Sequence, residues 1–235
     1  MKKLILFAVS LFCFDATAQI KAVTEDGKEV ILLDNKTWRF LNESDEKTLE
    51  TITSNETPLE KDKNSTFLFR SKKIDAGLYI NPKIWKTTDI FKAPYLEYTF
   101  ITNENQQVVG MFTAENIEIA TLKNLKDLQI SLIEKRADYF KLKESEYRTV
   151  NGLKVLYLRY IANTKGMDFE FEGYFYLTSE GYCAAVAYST QKYFEQLKPK
   201  MDIFINGLVK TEKAKTTEVY SLPPPPMPSS SKNKN

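Results

Sequence analysis

Residues 146–189 read EYRTVNGLKVLYLRYIANTKGMDFEFEGYFYLTSEGYCAAVAYS, and this stretch decides the fold. Asn151-Gly152 is a strong short-range hairpin signal, because a two-residue turn matched to the strand twist needs positive φ at both positions. It joins Glu146–Val150 to Leu153–Ala162. Met167–Leu177 then alternates strictly. Met167, Phe169, Phe171, Phe175 and Leu177 take one face, and Asp168, Glu170, Glu172, Tyr174 and Tyr176 the other. Ser179-Glu180-Gly181 turns the chain into Tyr182–Ser189. There Tyr182, Ala184, Val186 and Tyr188 oppose a face of small residues, Cys183, Ala185 and Ala187. A helix can approach such a strand closely. The expectation is a four-stranded antiparallel meander with a helix over the small-residue face.

Working outward, Leu122, Leu125, Leu128, Leu132, Ile133 and Phe140 recur at helical intervals, with Thr121 as N-cap. After the meander, Tyr193, Phe194, Leu197, Met201, Phe204, Ile205 and Leu208 mark a second helix over about 191–209. Pro199 predicts a kink or restart near Lys198. Before the first helix, Phe67–Ile74, Gly77–Ile80, Tyr95–Ile101 and Val108–Ala114 read as strands. The fold class is therefore α+β: an antiparallel β-sheet flanked by helices, over about residues 66–210.

Several motifs carry a family resemblance, and their order strengthens it. They are GLYINPKIWK (77–86), YLEYTFITNENQQVVGMFTAENIEI (95–119), EYRTVNGLKVLYLRYIA (146–162) and FEFEGYFYLTSEGYCAAVAYST (169–190). Together they resemble the PsbP/Mog1/DcrB-like family. The resemblance implies a PsbP/Mog1-like sandwich and a role as an accessory or binding module, as for photosystem assembly factors, a nuclear GTPase regulator and bacterial envelope proteins. It supplies no catalytic residue.

The flanks lie outside that match. Lys2 and Lys3, the apolar run Leu4–Phe14 and Ala16-Thr17-Ala18 read as a secretory signal cut after Ala18, leaving Gln19 first. A run of about eleven residues falls well short of the roughly twenty needed to span a bilayer. No transmembrane anchor is expected after cleavage, and the protein is expected in the periplasm or outside the cell. Residues 19–41 read as a three-stranded β-meander with Asp26-Gly27 in its first turn. VTEDGKEVILLDNKTWRF (23–40) resembles a module of exported bacterial proteins of unknown function. Residues 42–65 are polar and read as a flexible linker, and residues 211–235, with Pro223–Pro226, as a disordered Pro-rich tail.

Composition narrows the chemistry. The chain has 33 basic and 31 acidic residues; without Lys2, Lys3 and Asp15 the counts become 31 and 30. So balanced a charge argues against nucleic acid as partner. There is no histidine, which excludes Ser-His-Asp and Cys-His nucleophiles. Cys13 lies in the signal, so Cys183 is the one thiol beyond it, and it reads as buried rather than reactive. The eight glycines are scattered and build no phosphate loop. No cofactor and no metal site is expected.

Three features invite a functional reading. Asp168, Glu170 and Glu172 form a carboxylate stripe, expected as a solvated sheet face and alternatively a cation or docking site. Trp85 is expected to plug the core edge, alternatively to line a pocket. The strand tyrosines Tyr147, Tyr157, Tyr160, Tyr174, Tyr176, Tyr182 and Tyr188 suit half-buried strands and also contact surfaces. The expected function is that of an exported cell-envelope protein that binds another envelope or extracellular protein without catalysis. The alternative is a His-free, carboxylate-dependent hydrolase.

Overall fold

The computed structural model describes residues 20–23, 29–32, 38–40, 51–104 and 107–215. The signal read at residues 1–18 and the Pro-rich tail beyond residue 215 lie outside the described residues. Three short antiparallel strands, β1 (Ile20–Val23), β2 (Glu29–Leu32) and β3 (Trp38–Phe40), form the expected meander. Their register sets Ala22, Val30 and Phe40 in one cross-strand row.

The large sheet is built on the decisive stretch. β10 (Tyr139–Val150), β11 (Leu153–Thr164), β12 (Met167–Thr178) and β13 (Gly181–Thr190) pair in sequence order. Asn151 and Gly152 take φ of 49° and 78°, and Lys165 and Gly166 take 53° and 76°, so both two-residue turns are of the positive-φ kind. β9 (Val109–Glu115), β8 (Leu96–Thr102) and β7 (Trp85–Thr87) continue the sheet beyond β13.

The other edge holds a correction. Residues 42–65 were expected as a linker, yet β4 (Thr53–Ser54) adds to β10 in parallel. Asn55 N–H donates to Tyr147 O and Leu59 N–H to Thr149 O, both at 2.9 Å, and Asn151 N–H donates back to Leu59 O at 2.8 Å. Such pairing covers a sheet edge through backbone groups alone, so a polar sequence serves as well as an apolar one.

Both faces of the sheet are covered. α1 (Leu122–Glu134) starts as expected, with the Thr121 hydroxyl accepting from Asn124 N–H at 3.1 Å. It ends earlier than its periodicity suggested. Phe140 belongs to β10, where it lies 5.5 Å from Tyr160, ring centre to ring centre. α1 packs Leu122, Leu125, Leu128, Ile130 and Ile133 over Leu156, Leu158, Tyr160, Phe175 and Val186. α2 (Phe194–Ile205) follows a short 3-10 turn and covers the opposite face. It runs through Pro199 without a break, held by five buried residues, Phe194, Leu197, Met201, Phe204 and Ile205. The small-residue face behaves as read: Cys183, Ala185 and Ala187 are buried in the cluster that α2 covers.

A third sheet of β5 (Phe67–Arg70), β6 (Gly77–Ile80) and β14 (Leu208–Val209) closes that cluster. Residues 211–215 were placed in the tail, but Ala214 N–H donates to Ser71 O at 2.7 Å and Lys213 N–H to Asp75 at 3.0 Å.

Helix α2 comes close to the sheet at Phe204. A Cβ on Gly110 would meet its ring at 2.6 Å, and the ring lies 4.6 Å from Trp85 and 5.4 Å from Phe100. Phe204→Ala should cost about 3–5 kcal/mol in chemical denaturation. Gly110→Ala should also destabilise, and less so in a Phe204→Leu background; purely additive costs would show that the two positions do not touch.

Candidate functional site

The carboxylate stripe requires the largest correction. It was expected as a solvated face, but Glu170 and Glu172 are 2% and 0% exposed because α2 covers the strand on that side. The three acids separate into different partnerships. Asp168 is half-buried and accepts from Tyr139 Oη at 2.7 Å and Asn163 Nδ2 at 2.6 Å. Glu170 accepts from Lys143 Nζ at 2.8 Å and Arg159 Nε at 2.7 Å. Glu172 accepts from Tyr157 Oη at 2.9 Å and pairs with Lys198 Nζ at 3.1 Å. Among the described residues no three acidic or cysteine side chains converge as a metal-binding group.

The cations complete a layer between sheet and helix. Arg159 also donates to Glu144 at 3.0 Å and pairs with Glu195 of α2, and its guanidinium lies 4.6 Å from the Phe194 ring centre. Arg148 donates to Glu146 at 2.7 Å and stacks 3.4 Å above the Tyr157 ring. Lys198 donates to Asp202 at 2.7 Å, one turn along α2. Charges removed from water in this way require partners. One acceptor lacks one: Glu172 Oε1 is buried with no hydrogen bond. Burial pushes the Glu172 carboxyl up to about 7, aided by the Asp202 charge and opposed by Lys198 and Tyr157. The water-exposed, unperturbed state expected of this residue is therefore overturned.

Cys183 is fully buried, and burial raises its thiol well above the ordinary range. Trp85 is 1% exposed and packs on Phe204, as a core plug does. Of the seven strand tyrosines, Tyr157, Tyr160, Tyr174 and Tyr182 are buried and Tyr147, Tyr176 and Tyr188 half-buried.

The α1 side is less completely closed. Tyr160, Phe171 and Tyr188 form an aromatic row across β11, β12 and β13, with ring centres 4.9 and 4.6 Å apart. Phe169 meets Tyr188 edge-on at 5.8 Å. Phe169, Phe171 and Tyr188 are half-buried, and Met167 beside them is 55% exposed. The alternation of β12 already announced this apolar face. Next to the row, between α1 and the sheet, is a cleft of about 170 Å³. Its floor is Met111, Tyr160, Phe175, Ala184 and Val186, and its polar wall includes Gln129 and Arg136 of and after α1. The sequence pattern did not single out Gln129 or Arg136. By sequence they are ordinary polar positions, and only the packing of α1 on the sheet places them at a cleft.

No protein-family model matches the chain, and no curated protein sequence matches it. Several solved structures are similar. One is the solution structure of a cyanobacterial PsbP (CyanoP) from Synechocystis sp. PCC 6803, at 12% identity over 63% of this chain and 94% of that one, with a TM-score of 0.48. Another is PA94, a Pseudomonas aeruginosa protein of unknown function, at 16% identity over 57% and 88%, with a TM-score of 0.39. A third is LpqN, involved in cell envelope biogenesis of Mycobacterium tuberculosis, at 13% identity over 58% and 83%, with a TM-score of 0.41. These likenesses are at low sequence identity, and no residue role passes from these proteins to this chain.

Two measurements follow from the buried layer. A carboxyl raised in the fold above its ordinary 4.5 favours the folded state most when protonated. Its contribution is thus complete below about pH 4.5, declines as pH rises to about 7, and amounts to at most about 3 kcal/mol. Urea denaturation across pH 4–8 should show this decline in wild type relative to Glu172→Gln; parallel curves would mean that Glu172 titrates normally. Cys183 should react slowly with a thiol reagent in native buffer and rapidly in denaturant. Fast stoichiometric labelling without denaturant would contradict its burial.

Proposed function

We propose that this chain is an exported accessory protein of the cell envelope that binds another envelope or extracellular protein without catalysis. The observation that supports this reading most is the half-exposed aromatic row Phe169, Phe171 and Tyr188 with Met167. Large, rigid aromatic side chains on a sheet present contact area at low entropic cost, and they are enriched in interfaces. Export is read from residues 1–18. Among the described residues, no helix is long and apolar enough to cross a membrane.

The hydrolase alternative asks for two carboxylates converging on a cavity that substrate can enter. Glu170 and Glu172 instead lie beneath α2, engaged by Arg159, Lys143, Lys198 and Tyr157. A raised carboxyl at Glu172 is in this reading a consequence of helix docking.

The binding reading is tested with mature protein immobilised against envelope extract, beside a Phe171→Ala/Tyr188→Ala variant that keeps its cooperative unfolding. Wild type should retain a discrete protein species that the variant loses. Ester, glycoside, phosphoester or peptide turnover that vanishes in Asp168→Asn/Glu170→Gln/Glu172→Gln would overturn the reading in favour of an enzyme. Edman sequencing of the exported product should begin at Gln19. A product that retains residues 1–18 and fractionates with membranes would refute export by cleavage.

A further inference from the structure

The cleft beneath α1 has the composition of a small-molecule site. Met111, Phe175, Ala184 and Val186 from the sheet and Leu132 and Ile133 from α1 line its interior. A space of about 170 Å³ with such walls exceeds the roughly 150 Å³ of an apolar cavity able to take a benzene ring. A body of about six to eight carbon atoms fits that volume.

The polar end is equally defined. Gln129 Nε2 is buried and has no hydrogen bond of good geometry, its only partner being the Tyr182 hydroxyl in a weak contact. A buried donor so poorly paired costs free energy that a well-placed ligand oxygen would recover. Arg136 is the neighbouring cation: its guanidinium donates to Tyr95 Oη at 3.1 Å and lies 5.2 Å from that ring's centre. The positive charge of Arg136 is felt at the Tyr182 hydroxyl. Glu115 also reaches Tyr182 electrostatically. That single negative charge at the rim disfavours a ligand with two.

We infer that the cleft between α1 and the sheet binds a small monocarboxylic acid. Its apolar body of six to eight carbons occupies the space over Phe175 and Ala184. Its carboxylate accepts from Gln129 Nε2 and faces Arg136. The site requires no movement of the buried ionic layer, which lies on the opposite face of the sheet, and it shares only Tyr160 with the aromatic row.

The test titrates hexanoate and phenylacetate into full mature protein, followed by amide chemical shifts and calorimetry, with hexanol and hexylamine as neutral and cationic counterparts. Saturable binding of the acids is expected, at least tenfold tighter than of the alcohol or amine. Shifts should concentrate at residues 111–113, 129–136 and 182–186. Arg136→Gln should weaken acid binding about tenfold and leave hexanol unaffected. Gln129→Leu removes the poorly paired donor and fills the space, so it should abolish binding while keeping or raising Tm. No saturable binding, equal affinity for acid and alcohol, or full binding by Gln129→Leu would each overturn the proposal.

Discussion

The structure depends on how closely α2 can approach the sheet. Phe204 sits over Gly110, which has no Cβ to meet it, and Ala187 is the cross-strand neighbour of Gly110. Ala185 and Cys183 extend the same floor. Larger side chains there would lift the helix off the sheet and open the dense packing on which core stability rests. With the helix down, Trp85, Phe100 and Phe204 make ring contacts, and β14 after the helix can pair with β6. Asn151 locks this end: its Nδ2 donates to Asn206 O and Leu208 O, both at 2.8 Å. One turn residue thereby ties the β10–β11 hairpin to the end of α2.

The same approach decides the fate of the charges. Glu170, Glu172 and Arg159 alternate on strands that look amphipathic when taken singly. Covered by α2, they lose water and must satisfy one another. The result is a layered arrangement, Lys143 and Arg159 on Glu170, Tyr157 and Lys198 on Glu172, with Arg148 over Tyr157. Such a layer adds little net stability against a well-packed apolar alternative, but removing one member strands the others. It ties α2 to one position along the sheet, because Glu195 and Lys198 pair with Arg159 and Glu172 of the strands.

The α1 side follows a different economy of contacts. α1 buries Leu125 fully, while Leu122, Leu128, Ile130 and Ile133 are only partly covered. A helix resting on larger side chains such as Phe175, Tyr160 and Tyr182 stands further from the sheet, and the cleft is the space left over. The aromatic row continues past the helix toward Met167. The face under α2 is closed and the face under α1 more open, a division made by side-chain size on alternate residues of β13.

Much of this was legible locally. The Asn151-Gly152 turn, the Thr121 cap, the alternation of β12 and the small-residue face of β13 all act over a few residues, where backbone sterics and short hydrogen bonds are sufficient. The sequence by itself therefore determined the meander, the two helices and the burial of Cys183. Three things were decided only in three dimensions. Phe140 matched a helical period but joined β10, because pairing with β11 outweighs a coincidence of spacing. Residues 53–59 joined the sheet edge through backbone groups that leave no side-chain signature. Glu170 and Glu172 became buried partners of cations up to 27 residues away in sequence. Solvation of a side chain is a property of whatever covers it, and a strand's own alternation cannot report which helix will arrive.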